Sequence, residues 1–259
     1  MDLKLDVTIA TKYTSNAQKM RVITENWVVK NLFCPICGTP VLSVYENNKP
    51  VADFFCEDCN SDFELKSKEN SNGNLGKKIV DGAYDTMISR ITSLENPNFL
   101  FMTHNNNEVN NCVLIPNYFF VPEIIEKRKP LSDNARRAGW VGCNIDISKI
   151  PESGKIYIVK NSQIIEKQQI LANYKVIKSL KSNNLESRGW IIDTLNCIDQ
   201  IPTDSFTLTQ MYTFTDALQE KHPNNHFIQD KIRQQLQYLR DKGIIEFTSR
   251  GNYKKMIND

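Results

Sequence analysis

The stretch Ala52-Asp53-Phe54-Phe55-Cys56-Glu57-Asp58-Cys59-Asn60-Ser61-Asp62-Phe63-Glu64-Leu65-Lys66-Ser67-Lys68 carries two chemistries side by side. Cys56 and Cys59 are the second half of a pattern that opens at Cys34-Pro35-Ile36-Cys37, with eighteen residues between the pairs. Two C-x-x-C pairs at that separation match a four-cysteine zinc site. Each turn presents two thiolates to one ion, and the second completes a tetrahedron with arms of about 2.3 Å. Four thiolates leave no open position, which predicts a structural rather than a catalytic Zn²⁺. Seven cysteines in a chain of this size that is expected to be intracellular argue against a disulfide framework. Disulfides and a redox C-x-x-C are the competing readings. Cys112, Cys143 and Cys197 are isolated and read as small buried apolar residues.

The flanking residues are the more informative part. Residues 50–55 and 62–68 alternate and are rich in aromatics, so both read as short strands. Residues two apart on a strand share a face, so Glu64 and Lys66 project together while Phe63 and Leu65 point into the core. If the strands pair as a zinc-stapled hairpin, Asp53 comes beside Glu64 and Lys66. Two carboxylates bind Mg²⁺ as hard oxygen ligands. The metal polarises a phosphodiester, and the lysine orients or deprotonates the attacking water. A surface ion-pair ladder uses the same residue types and is the competing reading.

Composition sets the bounds. The 259 residues fit one large domain or two ordinary ones, and 40% apolar with 24% charged residues is ordinary globular usage. No uncharged apolar run reaches the length of a membrane span. The alternating start Met1-Asp2-Leu3-Lys4-Leu5-Asp6 lacks a signal peptide's apolar core. A soluble, cytoplasmic chain with no membrane partner is expected. The net charge is only +2, but basic residues cluster. Lys231, Arg233, Arg240, Lys242, Arg250, Lys254 and Lys255 face only Asp241 and Glu246 in that segment, and a second cluster holds Lys127, Arg128, Lys129, Arg136 and Arg137. Local basic patches on a near-neutral chain suit a nucleic-acid binder, and solvated faces are the alternative.

The last third has its own periodicity. Trp190, Ile191, Leu195 and Ile198 recur at helical spacing from Leu185 until Pro202 ends the helix. Thr203-Asp204-Ser205 restarts the chain, and Thr207 caps a second helix carrying Met211, Phe214 and Leu218. After a turn at His222-Pro223-Asn224-Asn225, a third helix over residues 227–241 faces Ile228, Ile232, Leu236 and Leu239 inward, and Gly243 stops it. A basic hairpin follows, turning at Ser249-Arg250-Gly251-Asn252. This is the outline of a winged helix. Gln229, Lys231, Arg233, Gln234, Gln237 and Arg240 are expected on the outward face of the third helix, where Gln and Arg pair bidentately with adenine and guanine edges. Arg250 and Lys254 on the wing would take phosphates. Winged helices that bind protein instead are the competing class.

The Asp53…Glu64-x-Lys66 pattern resembles the PD-(D/E)xK nucleases. The whole chain resembles the DpnI-type methyl-directed restriction endonucleases. The likeness rests on residues 46–54, on Phe63-Glu64-Leu65-Lys66-Ser67-Lys68, Asp81-Gly82-Ala83-Tyr84, Ala135-Arg136-Arg137-Ala138-Gly139-Trp140 and Ile232-Arg233-Gln234-Gln235-Leu236, and on both cysteine pairs. It departs over residues 71–78, over residues 164–181 and at the C-terminal end. The resemblance implies an α/β PD-(D/E)xK core with an inserted four-cysteine zinc site over residues 1–184 and a winged helix over residues 185–259. It implies Mg²⁺-dependent cleavage of double-stranded DNA at GATC sites carrying N6-methyladenine, by a chain acting as a monomer. Asp53 and Glu64 would then hold metal with the Leu65 carbonyl, and Lys66 would work on the water. Glu25, on a helix expected over residues 21–30, is a candidate carboxylate behind the ligands, with plain helix surface as its alternative. A host of such an enzyme is expected to leave its own GATC adenines unmethylated.

Methyl recognition sets a quantitative demand. One buried methyl contributes about 0.8 kcal/mol, under tenfold per contact. Strong discrimination therefore needs several contacts or two modules. Trp140, beside Arg136 and Arg137, is the candidate apolar wall, against the alternative of a core tryptophan. A non-cleaving zinc and winged-helix protein that binds methylated DNA, and a nuclease of different specificity, are the two rival functions.

Overall fold

Among the described residues, the strand that carries Glu64 and Lys66 lies inside the largest sheet and makes that sheet's one parallel pairing. The structure, a computed structural model, describes residues 1–46, 52–93 and 95–256. The chain divides into two compact units, Met1–Ser148 with Lys155–Tyr174, and Lys149–Gly154 with Lys175–Asp259.

In the first unit, α1 (Asn16–Asn31) precedes β1 (Ser43–Val44), β2 (Phe54–Phe55), β3 (Asp62–Glu69), β4 (Lys78–Ala83), α2 (Tyr84–Thr92), β5 (Asn98–Asn105) and β6 (Glu108–Ile115). There follow β7 (Ile125–Lys127), β8 (Gly142–Asp146), β9 (Ile156–Lys160), β10 (Gln163–Ile164) and α3 (Lys167–Lys178), which runs across the division. Seven strands form a sheet in the order β1-β2-β3-β5-β6-β9-β10, and a second sheet runs β4-β8-β7. A parallel pair requires a crossover, and β4 with α2 supplies it between β3 and β5. β5 is buried from Asn98 to His104, as expected of a strand covered on both faces. α1 lays Ile23, Thr24, Trp27 and Val28 against the interior. It starts at Asn16, earlier than its apolar pattern indicates, because Ala17, Gln18, Lys19 and Met20 are good helix formers that add no apolar periodicity.

The second unit holds α4 (Leu185–Asp199), β11 (Ser205–Thr207), α5 (Leu208–Tyr212), α6 (Thr215–Lys221), α7 (Ile228–Asp241), β12 (Ile245–Ser249) and β13 (Asn252–Lys255). Trp190, Ile191, Leu195 and Ile198 are buried as their spacing predicts. The segment expected as a single second helix is two. Thr207 caps α5 in a full capping box with Gln210, and the helix stops because the Thr213 and Thr215 hydroxyls donate back to the Gln210 and Tyr212 carbonyls, both at 2.7 Å. The expected two-stranded hairpin gains a third strand, in the order β11-β13-β12, with Phe206 buried beneath it. Three residues are too few for alternation to reveal β11. The chain is thus a mixed α/β core followed by a helix-turn-helix unit with a β-wing, as its motifs predict. No described helix is long and apolar enough to cross a membrane.

Candidate active site and DNA-facing residues

The two cysteine turns are built alike. The Cys34 carbonyl accepts from Gly38 N–H at 2.8 Å, and the Cys56 carbonyl accepts from Asn60 N–H at 2.9 Å. Each turn closes on a left-handed residue, Gly38 at φ +88° and Asn60 at φ 53°, the two residue types that adopt this region most readily. The four sulfurs lie within 4.8 Å of one another. Cys34 and Cys59 are 3.7 Å apart, and Cys37 and Cys56 are 3.5 Å apart. A tetrahedron with arms of about 2.3 Å has edges of about 3.8 Å, so these spacings fit one zinc and exceed any S–S bond. All four are free thiols. Burial raises Cys34 and Cys59, whereas hydrogen bonding to Thr39, Cys56 and Cys34 overcomes burial at Cys37 and lowers it to about 7. The cluster can therefore hold a structural zinc.

The second cysteine turn is also the turn of the β2–β3 hairpin. Phe54 pairs with Phe63 and Phe55 with Asp62, both phenylalanines of the first pair being fully buried. That register extends one residue back, where Asp53 N–H donates to the Phe63 carbonyl at 2.9 Å. Asp53 thus sits across from the Glu64 end of β3, and its Oδ2 accepts from Leu65 N–H at 2.8 Å. Residues 50 and 51 of the expected first strand lie outside the described residues, and the observed strand is Phe54–Phe55. Phe63 is in the core, but Leu65, expected there too, is only half-buried and is among the residues that line the cavity described next.

Asp53, Glu64, Leu65 and Lys66 line one cavity of about 510 Å³ together with Arg21, Thr24 and Glu25 from α1. Glu25 does reach this cavity and accepts from Arg21 at 2.6 Å. Glu64 is engaged at both oxygens, by Lys66 Nζ at 2.7 Å and by Arg90 of α2 at 2.6 Å. Lys66 also donates to Asp81 on β4 at 2.5 Å. Spacing alone did not reveal Arg90, Asp81 or Arg21. Burial raises the pKa of Asp53, and the nearby Glu64 charge adds to the rise despite the Leu65 N–H. Burial works against the Lys66 ammonium, but Glu64 and Asp81 outweigh it and hold its pKa above the ordinary lysine value. Paired carboxylates, one of them buried at a cost, form a donor set that suits a hard divalent cation. Glu64 is 14% exposed at its side chain, which is too buried for a surface ion-pair ladder.

The basic loop between β7 and β8 closes on itself through Leu131 N–H to the Trp140 carbonyl and Gly139 N–H to the Leu131 carbonyl. Arg136 and Arg137 are exposed. Trp140 is half-buried and outside the core, so its alternative as a core tryptophan is overturned. Its ring lies on Gly142, where an added Cβ would stand 2.9 Å from two ring carbons, and the Arg137 guanidinium stacks above it at 4.5 Å. Gly142 is the hidden determinant of this seat.

On α7, Gln229, Arg233, Gln234, Gln237 and Arg240 are exposed. Lys231, expected outward, is half-buried: its ammonium sits 5.6 Å from the Trp190 ring centroid and donates to Gln234 at 2.8 Å. Its long stem lets the side chain fold back onto the aromatic surface. Arg233 is tied to the Tyr212 hydroxyl and to Asp230. Arg250 and Lys254 are exposed on the wing. His222 stacks on Trp190 at 3.7 Å and contacts Asp193 at 3.0 Å, a packing role rather than a ligand set.

Comparison with known protein families agrees with the motifs. Residues 1–183 match the family model described as the Dam-replacing family, and residues 186–255 match the one described as the Dam-replacing HTH domain. Matches over nearly the whole length, with the cysteine cluster and the Asp53–Glu64–Lys66 cavity in place, show that the chain belongs to the DpnI, or Dam-replacing, family, whose type is the methyl-directed restriction endonuclease.

Proposed function

We propose that this protein is a Mg²⁺-dependent endonuclease that hydrolyses double-stranded DNA at GATC sites bearing N6-methyladenine. The observation that carries the reading is the shared cavity of Asp53, Glu64 and Lys66. Residues 1–184 act as the catalytic module and residues 185–259 as a DNA-reading module. Asp53, Glu64 and the Leu65 carbonyl hold the metal, and Zn²⁺ on Cys34, Cys37, Cys56 and Cys59 fixes the hairpin. When bound, Mg²⁺ supplies Lewis-acid polarisation of the phosphate and acidifies bound water.

The chain's own groups do the rest. Lys66, kept as an ammonium by its carboxylate partners, orients the attacking water and screens charge on the phosphate rather than abstracting a proton. The water oxygen forms the new P–O bond and gives up one proton to solvent, one bridging P–O bond breaks, and the leaving oxygen takes up one proton, so the step is proton-neutral. The exposed Gln229, Gln234, Gln237 and Arg240 on α7 suit base-edge reading, with Arg233 held in position by Asp230. Arg136, Arg137, Arg250 and Lys254 suit phosphates, and Lys231 supports Gln234. One chain acts alone, in the cytoplasm where its DNA substrate is.

The test is digestion of one plasmid in adenine-methylated and unmethylated forms, with Mg²⁺ or EDTA. Discrete GATC fragments from the methylated form alone, lost with EDTA and lost in Glu64→Ala with DNA binding retained, are expected. A methylated plasmid that shifts on a gel but is never cut would establish a binding protein instead.

A further inference from the structure

One of the cationic side chains that line the cavity, Lys66, is held from two sheets. Lys66 projects from β3 of the seven-stranded sheet, and its second partner, Asp81, projects from β4 of the three-stranded sheet. Asp81 is not among the residues that line the cavity. Its side chain is 5% exposed, and its other oxygen is buried with no hydrogen-bond partner among the described residues. A carboxylate so placed does not reach a ligand in the cavity, but it has acceptor capacity to spare for the ammonium beside it.

The partition of Glu64 sharpens the point. Its two oxygens are both committed, one to Lys66 and one to Arg90. If Glu64 is given over to a cation, Lys66 loses part of its hold there. We propose that Asp81 is the positioning residue for Lys66, the anchor that keeps the ammonium at the reacting phosphate while Glu64 serves the metal; this rests on the nuclease reading above.

The anchor's own placement is fixed by sheet register. Asp81 pairs with Cys143 and Ala83 with Gly142, and the register shifts between them at Gly82. The strand that seats Trp140 is therefore the strand that sets Asp81. Displacing Lys66 by about 1 Å is enough to lower turnover by tenfold or more without touching DNA affinity, since neither residue needs the base sequence.

Two readouts test this on the full-length protein with its zinc retained. The first needs no Mg²⁺ and no DNA: ¹⁵N–¹H spectroscopy of lysine-labelled protein, with the Lys66 ammonium assigned by its loss in Lys66→Met. A protected Lys66 signal is expected in the wild type, lost in Asp81→Ala, and shifted but present in Asp81→Asn, which keeps one acceptor oxygen. The second is steady-state cleavage. Asp81→Ala should lower kcat about tenfold or more with KM within about twofold, and Asp81→Asn should fall between it and the wild type.

If Asp81→Ala does not fold, the near-isosteric Asp81→Asn carries both readouts. No protected Lys66 signal in the wild type, an unchanged one in both variants, or a rise in KM with kcat intact overturns the proposal. A wild type that never cuts overturns the nuclease reading and the catalytic role with it, and the spectra still show whether Asp81 holds Lys66.

Discussion

Asp53 Oδ2 accepts a hydrogen bond from the Leu65 backbone at 2.8 Å, so the carboxylate is aimed across the hairpin at the residue between Glu64 and Lys66. The fold thereby sets its orientation independently of any bound ion. Asp53→Asn keeps an acceptor at the same place and removes the charge. The weaker hydrogen bond costs about 1 kcal/mol, and relief of desolvation and of repulsion from Glu64 offsets part of it. Thermal stability should change little while cleavage falls at least about 100-fold with methylated-DNA binding retained. An Asn variant that cuts at the wild-type rate would remove Asp53 from the mechanism.

The zinc prediction concerns the same hairpin from its other end. Asp53 precedes Cys56 by three residues and Glu64 follows Cys59 by five, so the cysteine turn holds the register between the two carboxylates. A chelator strong enough to strip zinc should lower the first unit's melting transition and abolish cleavage even when Mg²⁺ is returned in excess, with Zn²⁺ added beside Mg²⁺ restoring both, and Cys56→Ser should show the same losses without rescue. Metal analysis should return one zinc per chain. Protein that holds no zinc yet melts and cleaves normally contradicts the structural role.

What the sequence makes legible is whatever the chain encodes locally. The cysteine turns are four-residue patterns, and the shared face of Glu64 and Lys66 follows from strand alternation alone. Asp81 and Arg90 are different in kind. They meet Lys66 and Glu64 across sequence separations of 15 and 26 residues, through a crossover whose path no short pattern specifies. Lys231 shows a second limit: its backbone position faces outward on the periodicity, but its side chain bends to the Trp190 ring. The division of α5 from α6 turned on two threonine hydroxyls, a competition that apolar spacing does not register.

DNA contacts of two kinds separate by salt. Gln237 is exposed on α7 and neutral, so Gln237→Ala should cost about 1–3 kcal/mol on methylated GATC and leave the salt dependence of binding alone. Arg250 is exposed on the wing, and Arg250→Ala should weaken all sequences alike and reduce the slope of log K against log salt by about one. Binding titrations at several salt concentrations read both. The two variants giving the same pattern would mean that helix and wing do not divide the work.

His104 gives the first unit an acid limb. Burial on β5 lowers its pKa below the ordinary 6.5, and Glu69, paired beside it, opposes only part of the shift. The folded state therefore binds a proton less readily than the unfolded chain. Stability from this source is intact above about pH 6.5 and declines as pH falls toward the folded value. Denaturation at pH 7.5 and 5.5 should show a smaller difference for His104→Gln than for the wild type. An equal difference would assign the acid limb elsewhere.

Trp140 tests methyl reading most directly. The ring packs against Gly142 and is stacked by the Arg137 guanidinium, and both contacts hold its orientation. A methyl packed on the ring contributes about 0.8 kcal/mol, roughly fourfold for each site. Trp140→Ala should lower the ratio of methylated to unmethylated cleavage by about that factor or somewhat more. Gly142→Ala pushes a Cβ into the ring and should do the same with the indole still present. The two variants converging on one reduced ratio would place discrimination in the seating of the ring. A wild-type ratio in Trp140→Ala would leave methyl recognition to the winged helix alone.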